Sequence, residues 1–435
     1  MRSSAKPRPI ASSPVTGKRV GDVVAGALGL VWVVCLVRIL RHRIFVSLDS
    51  LISYAHVWYV SDRLWHHGRI PLAMPVLGHG QAFAFPYGFL PWFTAAIFRP
   101  LLGDRVVTLW LVAGMVLLIA TIFLAFPELR RSWWAAAVLA SPALPAAALI
   151  GQFPFVWASV FLFAGIACWR HDRRNWATAF MAAAQATHPA VMCPIVLVVV
   201  GWRVLFHRER DALPRYAISV VVALPAVALV VLSPVFGDSS TWDKTWGFLD
   251  TVFPRSLVLA VPLALAWLWR RWPGALAGAA AFVAVLAIDV AVWFPLSMPV
   301  AWRAMDRQPS QAMQPFLHSA AFHPGWTYRL LRVDDKRVGL YQLIRAGGRS
   351  DAEFFPESEL RRSWPSLAEY STVLRARHVD AVMLWRSYEQ RIHSDERRLL
   401  DELSAPTCAA PLACTTLVAT TSNYRLYELR TRPPR

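Results

Sequence analysis

The chain has 435 residues, of which 56% are hydrophobic, and a formal net charge of +18. The apolar residues fall in long uncharged blocks rather than at amphipathic spacing, which places the chain in the membrane class. The excess positive charge sits in short loops beside those blocks, where arginine sets orientation and meets anionic lipid. No basic face is interleaved with aromatics as nucleic-acid binding requires, so no nucleic-acid partner is expected.

In chain order, the basic residues Arg2, Lys6, Arg8, Lys18 and Arg19 precede an apolar stretch of about twenty residues. That stretch exceeds a signal-peptide core and has no small-residue cleavage site, so it reads as a retained anchor behind a cytoplasmic N-terminus, residues 1–19. The spans expected are Val20 to Leu40, Val106 to Phe126, Trp133 to Leu149, Phe153 to Trp169, Tyr216 to Phe236, Ser256 to Trp269 and Gly274 to Phe294. Two apolar stretches are ambiguous. Phe85 to Leu102 holds three prolines, and Trp176 to Trp202 is broken at His188-Pro189. If the first dips into the outer leaflet and the second is a hairpin of two half-helices, every arginine-rich short loop lies on the N-terminal, cytoplasmic side. The membrane domain then covers residues 20–302, with a large first extracytoplasmic loop at 41–105 and a re-entrant hairpin at 176–202.

The tail, residues 303–435, is extracytoplasmic on this reading. Strand-like runs at Thr327 to Arg332, Val338 to Ile344, Ala381 to Trp385, Thr416 to Thr420 and Tyr424 to Leu429 alternate with a helix opening at His393-Ser394-Asp395, with Ser394 as N-cap. A small α/β domain is expected. Cys408 and Cys414 lie close together in it and form a disulfide if the compartment is oxidising. Cys35, Cys168 and Cys193 lie in apolar spans and pack.

The first loop is far longer than any other between spans, and long loops in compact architectures are usually functional. It opens with Ser47-Leu48-Asp49-Ser50. At the membrane surface the Asp49 carboxylate can act as general base on a hydroxyl arriving from outside, or pair with Arg41 or Arg43 as an interfacial acid. His56 and Asp62 of the same loop are candidate substrate contacts. Gln152 in the turn Gly151-Gln152-Phe153-Pro154 can reach a sugar hydroxyl or serve only the turn. His188, beside a helix break, contacts a ligand or bonds a freed carbonyl. Arg99, Arg105 and Arg303 are candidate anion partners, with a headgroup contact as the alternative for each. Asp289, within the last span, is expected to face the bundle interior, with an arginine partner the favoured arrangement. No Asp-x-Asp, Gly-rich phosphate loop or zinc-ligand spacing is present, so neither metal nor cofactor is expected.

An acid just after the first span, an amphipathic segment from Tyr54 to Gly68, and Phe85-Pro86-Tyr87-Gly88-Phe89-Leu90-Pro91 leading to Leu101-Leu102-Gly103 together resemble the C superfamily of glycosyltransferases. The hairpin tip Thr187-His188-Pro189 is similar to the Thr-Arg-Pro-like tip of many members. The resemblance runs from Val20 to Arg215. It departs from the family at Ser50, where many members carry a second acid, and at Pro-Tyr-Gly in place of Pro-Pro-Leu. It implies a GT-C-like helical bundle in a bacterial plasma membrane, a polyprenyl-phosphate-linked sugar as donor, and a cell-envelope glycan or lipid as acceptor. It further implies inverting transfer, with Asp49 as base and a cation answering the phosphate that leaves. The alternative from another class is a non-catalytic membrane scaffold or lipid-handling protein of the same architecture.

Overall fold

The computed structural model describes residues 14–47, 50–71, 73–77, 81–82, 88–144, 153–231, 257–293, 311, 313–331, 336–351 and 363–430. Asp49, Gln152 and Arg303 lie outside them. The chain is mostly helical, with a small sheet in the C-terminal region. It divides into two compact units: residues 1–42, 109–224 and 248–306 form the first, and residues 43–108, 225–247 and 307–435 the second.

The first unit is a helical bundle. Among the described residues three helices are long and apolar enough to cross a membrane, at Gly17–Arg41, Arg105–Ala125 and Phe153–Arg170. They belong to helices α1 (Pro14–Arg41), α4 (Arg105–Ala125) and α6 (Phe153–Arg170). Leu30 on α1, Val221 on α9 (Ala212–Val231) and Leu276 on α11 (Ala275–Ile288) are 64%, 62% and 86% exposed. Large apolar side chains turned outward belong on a face that meets lipid. The expected span Trp133 to Leu149 is represented by helix α5 (Ser132–Leu139), its later residues lying outside the described set. Ser256 to Trp269 gives the short helix α10 (Ala260–Arg271).

Small residues let the bundle close up. A Cβ on Gly21 would overlap Ser132 Oγ, so α1 and α5 touch there with no room for a side chain. Beside that contact Ser132 Oγ donates to Lys18 O at 2.8 Å and Trp133 Nε1 to Gly17 O at 2.9 Å. Further along, Trp32 Nε1 donates to Leu139 O, so the two helices run in the same direction. Gly114 on α4 approaches Val156 on α6 as closely, at 2.8 Å from its would-be Cβ.

Polar contacts between loops show which helix ends share a side. Arg170 reaches Ala125 O at 2.6 Å and Glu128 at 2.9 Å. Trp169 Nε1 donates to Glu209 at 2.7 Å, and Arg203 pairs with the same carboxylate at 2.8 Å. The first turn of α11 meets the start of α5, where a Cβ on Gly278 would lie 3.0 Å from Trp133 Cβ. The arginine-rich segments at 127–131, 170–174, 203–215 and 270–271 therefore gather at the end of the bundle where α1 begins. The ambiguous hairpin consists of helix α7 (Arg174–Thr187) and helix α8 (Pro189–His207), broken at His188 with φ −147 and ψ 74. At about 1.5 Å per residue the arms measure about 21 and 28 Å, so they are unequal, the second nearing a full crossing.

The second unit joins parts of the chain that are distant in sequence. Helix α2 (Ser50–His67), a two-stranded ribbon of β1 (Ala73–Met74) and β2 (Gln81–Ala82), and helix α3 (Leu90–Leu102) come from the first loop. The 13 residues of α3 reach about 20 Å, short of a bilayer core of about 30 Å. The tail supplies β3 (Thr327–Leu331), β4 (Arg349–Ser350), β5 (Ala381–Trp385), β6 (Thr415–Thr420) and β7 (Tyr424–Leu429). They form one sheet in the order β4-β3-β5-β7-β6; β3 pairs with β4 and β5 in parallel, and the remaining pairs are antiparallel. All five residues of β5 are buried, as a central strand covered on both faces demands.

One expectation for the tail is corrected. Val338 to Ile344 is not a strand: it lies in helix α13 (Lys336–Arg345), which follows the short α12 (Gln314–Leu317), with Val338, Leu340, Tyr341, Leu343 and Ile344 all buried. The helix packs on α2, Tyr341 lying 6.1 Å from Tyr54. Covered on more than one side, it shows an apolar run whose period cannot distinguish helix from strand. The compact units group the first loop with the tail, whereas the sequence reading drew its division by membrane and extracytoplasmic parts, 20–302 and 303–435. The loop groups with the tail because Ser350 N donates to Val76 O at 2.9 Å, Leu77 bridges Ser350, and α2 seats α13.

Two helices of the tail complete this domain. Helix α14 (Leu367–Ala376) is capped by Ser366, whose hydroxyl accepts from Glu369 N at 3.1 Å. Helix α16 (Glu396–Leu403) follows α15 (Arg386–Ile392), and the Ser394 hydroxyl accepts from Glu396 N at 3.2 Å; Asp395 occupies the cap position itself. Cys408 and Cys414 are disulfide-bonded.

Candidate functional site

The segment around Asp49 is fixed at both ends by hydrogen bonds. Phe45 is fully buried, and Ser47 and Ser50 are nearly so. The Ser50 hydroxyl donates to Phe45 O at 2.5 Å and accepts from Ser47 N at 2.8 Å. One turn along α2, the Tyr54 hydroxyl accepts from Phe45 N at 2.8 Å and lies 2.6 Å from Thr108 Oγ1. Thr108 in turn donates to Arg43 O, so Tyr54 is the donor in the pair. Burial pushes the Tyr54 phenol far above its usual range, against the opposing effect of its bonds to Thr108 and Phe45, and keeps it a neutral donor. The backbone flanking a carboxylate just past the first span is thus clamped to α2 and α4.

Asp104, absent from the sequence reading, forms a buried ionic node of this unit. It is 1% exposed and receives Tyr341 Oη at 2.8 Å, Arg99 at 3.3 Å and the Arg345 guanidinium. Burial, then the adjacent Asp104 charge, raises the Tyr341 phenol well above its ordinary value. Arg99, proposed from sequence as an anion partner, is committed to this carboxylate. The signal available in sequence was Gly103-Asp104-Arg105, an acid in the turn that opens a span.

His56 is buried, stacked on Trp92 at 4.0 Å between ring centroids, with Nδ1 2.7 Å from Ile52 O. Trp92 Nε1 donates to Ser53 Oγ at 3.3 Å. Its described contacts are those of a packed ring. Asp62 is partly exposed and pairs with His66 at 3.1 Å. His188 belongs to the first unit, where it is 1% exposed at the hairpin break with Phe155 edge-on to it at 6.2 Å. Nearby Gln185 Nε2 donates to Ser219 Oγ at 2.8 Å, tying α7 to α9. Asp289 opens a π-helical turn, Asp289–Trp293, and no arginine pairs with it among the described residues.

A second buried charge cluster lies inside the tail domain. Arg329 of β3 pairs with Asp351 at 2.9 Å and Glu396 at 3.0 Å, all three side chains being at most 3% exposed. Trp364 Nε1 donates to Glu396 at 3.0 Å, and the Arg329 guanidinium lies 5.7 Å over the Trp364 ring. Burial raises the Glu396 carboxyl above the usual glutamate range, with Arg329 pulling the other way. An arginine in the middle of Tyr328-Arg329-Leu330-Leu331 is the sequence signal for it.

No known protein family matches the chain, and no curated protein matches it. Among solved structures it is similar to ArnT from Cupriavidus metallidurans bound to undecaprenyl phosphate, with 14% identity and a TM-score of 0.43 over 93% of this chain and 99% of that one. It is similar to the same protein in the apo state with 13% identity and a TM-score of 0.43, over 92% and 98%.

Proposed function

We propose that the protein is a membrane glycosyltransferase that moves a sugar from a polyprenyl-phosphate donor to a cell-envelope glycan or lipid. Asp49 takes the proton of the acceptor hydroxyl. The freed oxygen forms the new bond at the anomeric carbon from the face opposite the phosphate, whose bond to that carbon breaks with its electron pair going to the phosphate. Phosphate is a good leaving group, so the demand falls on the base and on cations near the leaving oxygen. The observation that carries the reading is the clamp on Arg43 to Ser50: buried hydrogen bonds fix both ends of the short segment bearing the acid that follows the first span. A base must be held within about 3 Å of the proton it takes, and such anchoring suits that demand. On this reading the tail domain and first loop face outside the cytoplasm, and the arginine-rich end of the first unit faces inside.

The non-catalytic reading keeps one observation in its favour. Ser50, where a second acid is common, is 3% exposed and its hydroxyl is used in the clamp. Transfer assays with polyprenyl-phosphate-linked sugars on purified wild type and Asp49→Asn separate the two. A general base supplies about a hundredfold to ten-thousandfold in rate, so the variant should lose nearly all transfer while remaining folded. Equal rates remove Asp49 from the mechanism, and no transfer by either form with any such donor favours the scaffold.

A further inference from the structure

We propose that the arginine-lined cleft at the α6–α7 turn of the first unit binds the phosphate of an anionic phospholipid headgroup. The cleft is bounded by Asp172, Arg173, Arg174, Asn175, Trp176 and Arg215, with a volume of about 510 Å³. Two of its guanidinium groups are held in place before any ligand arrives. Arg174 is fixed by Asp211 at 2.5 Å and Asp172 at 3.1 Å, and Arg215 by Asn175 Oδ1 at 3.1 Å and Asp211 at 3.4 Å. Arg173 is exposed. Three arginines against Asp172 and Asp211 leave one positive charge, since Glu209, 4.0 Å from Arg174, is matched by Arg203 at 2.8 Å; the single negative charge of a phosphodiester cancels it. The Asp172 side chain is 85% exposed, so water can take it over when an anion displaces it from Arg174.

Position selects a lipid over a free phosphate. The cleft begins two residues after the span Phe153–Arg170 ends, at the depth where headgroups lie. Its Trp176 wall is 63% exposed, and Phe180 follows one turn along α7 at 6.2 Å, with Phe161 6.3 Å beyond. This aromatic strip leads from the cleft along the helix, where the glycerol and upper acyl chain of a bound lipid would run.

Native mass spectrometry on the detergent-purified full chain, titrated with phosphatidylglycerol or phosphatidylcholine, tests this. Phosphatidylglycerol should be retained and phosphatidylcholine should not, since its ammonium is repelled by the arginines. Arg173→Gln, which breaks no hydrogen bond of the fold described here, should weaken retention about fivefold, and Arg173→Gln/Arg215→Gln more than tenfold. Trp176→Ala should weaken it without altering the preference between headgroups. Equal retention of the two lipids, or by wild type and Arg173→Gln, overturns the site. Thermal stabilisation by millimolar inorganic phosphate equal to that by phosphatidylglycerol overturns the assignment to a lipid.

Discussion

Replacing Asp104 by alanine should loosen the tail domain from the first loop without unfolding the tail sheet. The carboxylate is 1% exposed and takes three bonds, from Tyr341 at 2.8 Å, Arg99 at 3.3 Å and Arg345. Hydrogen bonds to a charged group contribute about 1.5–3 kcal/mol each, and a buried hydroxyl left unpaired costs about 1–3 kcal/mol. The two guanidinium groups recover part of this in water, since the Arg345 side chain is 42% and that of Arg99 18% exposed. Tyr341 recovers little, because its ring is 2% exposed. The net cost is about 2–4 kcal/mol, overlapping the lower part of the about 3–5 kcal/mol for breaking a buried ion pair from one side. Hydrogen exchange of the full chain in detergent reads it locally: amides of Lys336–Arg345 and Ser50–His67 should exchange faster by about thirtyfold or more, while those of β5 and β7 hold. Arg345→Ala, which leaves Asp104 paired with Arg99 and Tyr341, should cost about 1 kcal/mol or less. Unchanged exchange in α13 and α2 for Asp104→Ala would refute the reasoning, as would a larger effect from Arg345→Ala.

Glu396 should give the tail domain a stability that falls as pH rises. Its carboxyl is raised above the ordinary 4.5, so between that value and the raised one the folded state holds more protons than the unfolded, and stability drops across that window. Glu396→Gln should flatten the profile measured by denaturant unfolding of the full chain, and a slope unchanged by the substitution would remove Glu396 as its source. Gly114→Leu should lower the melting temperature in detergent through about 1–3 kcal/mol of overpacking against Val156, whereas Gly29→Leu, with nothing within 4 Å, should not; equal melting temperatures would show that α4 and α6 are not closely packed. Ser50→Asp should destabilise the clamp by about 2–4 kcal/mol, because an ionised carboxylate cannot donate to Phe45 O; faster exchange at the start of α2 is the readout, and protection equal to wild type would count against the clamp.

What was legible in sequence was whatever depended on local pattern. The runs Ala381 to Trp385 and Tyr424 to Leu429 are strands with those bounds, and the stretch opened by Ser394 is a helix. Where two layers cover one element, the pattern loses its period, and Val338 to Ile344 was misread for that reason. Contacts across the chain were not legible at all: Asp104 meets Tyr341 and Arg345 at separations of 237 and 241 residues, so no spacing rule could join the first loop to the tail.

Ser50 shows how such a contact changes the meaning of a residue. In sequence it was a missing acid and an argument against catalysis. In the fold it is a donor to Phe45 O and an acceptor from Ser47 N, and the residue is buried. An ionised acid can accept but not donate, so at this position it would lose half of the clamp and bury a charge beside a carbonyl. The serine therefore serves the geometry that holds the neighbouring Asp49 segment at both ends. Its presence is a consequence of how this loop is anchored, so the lack of a second acid at this position has a structural reason.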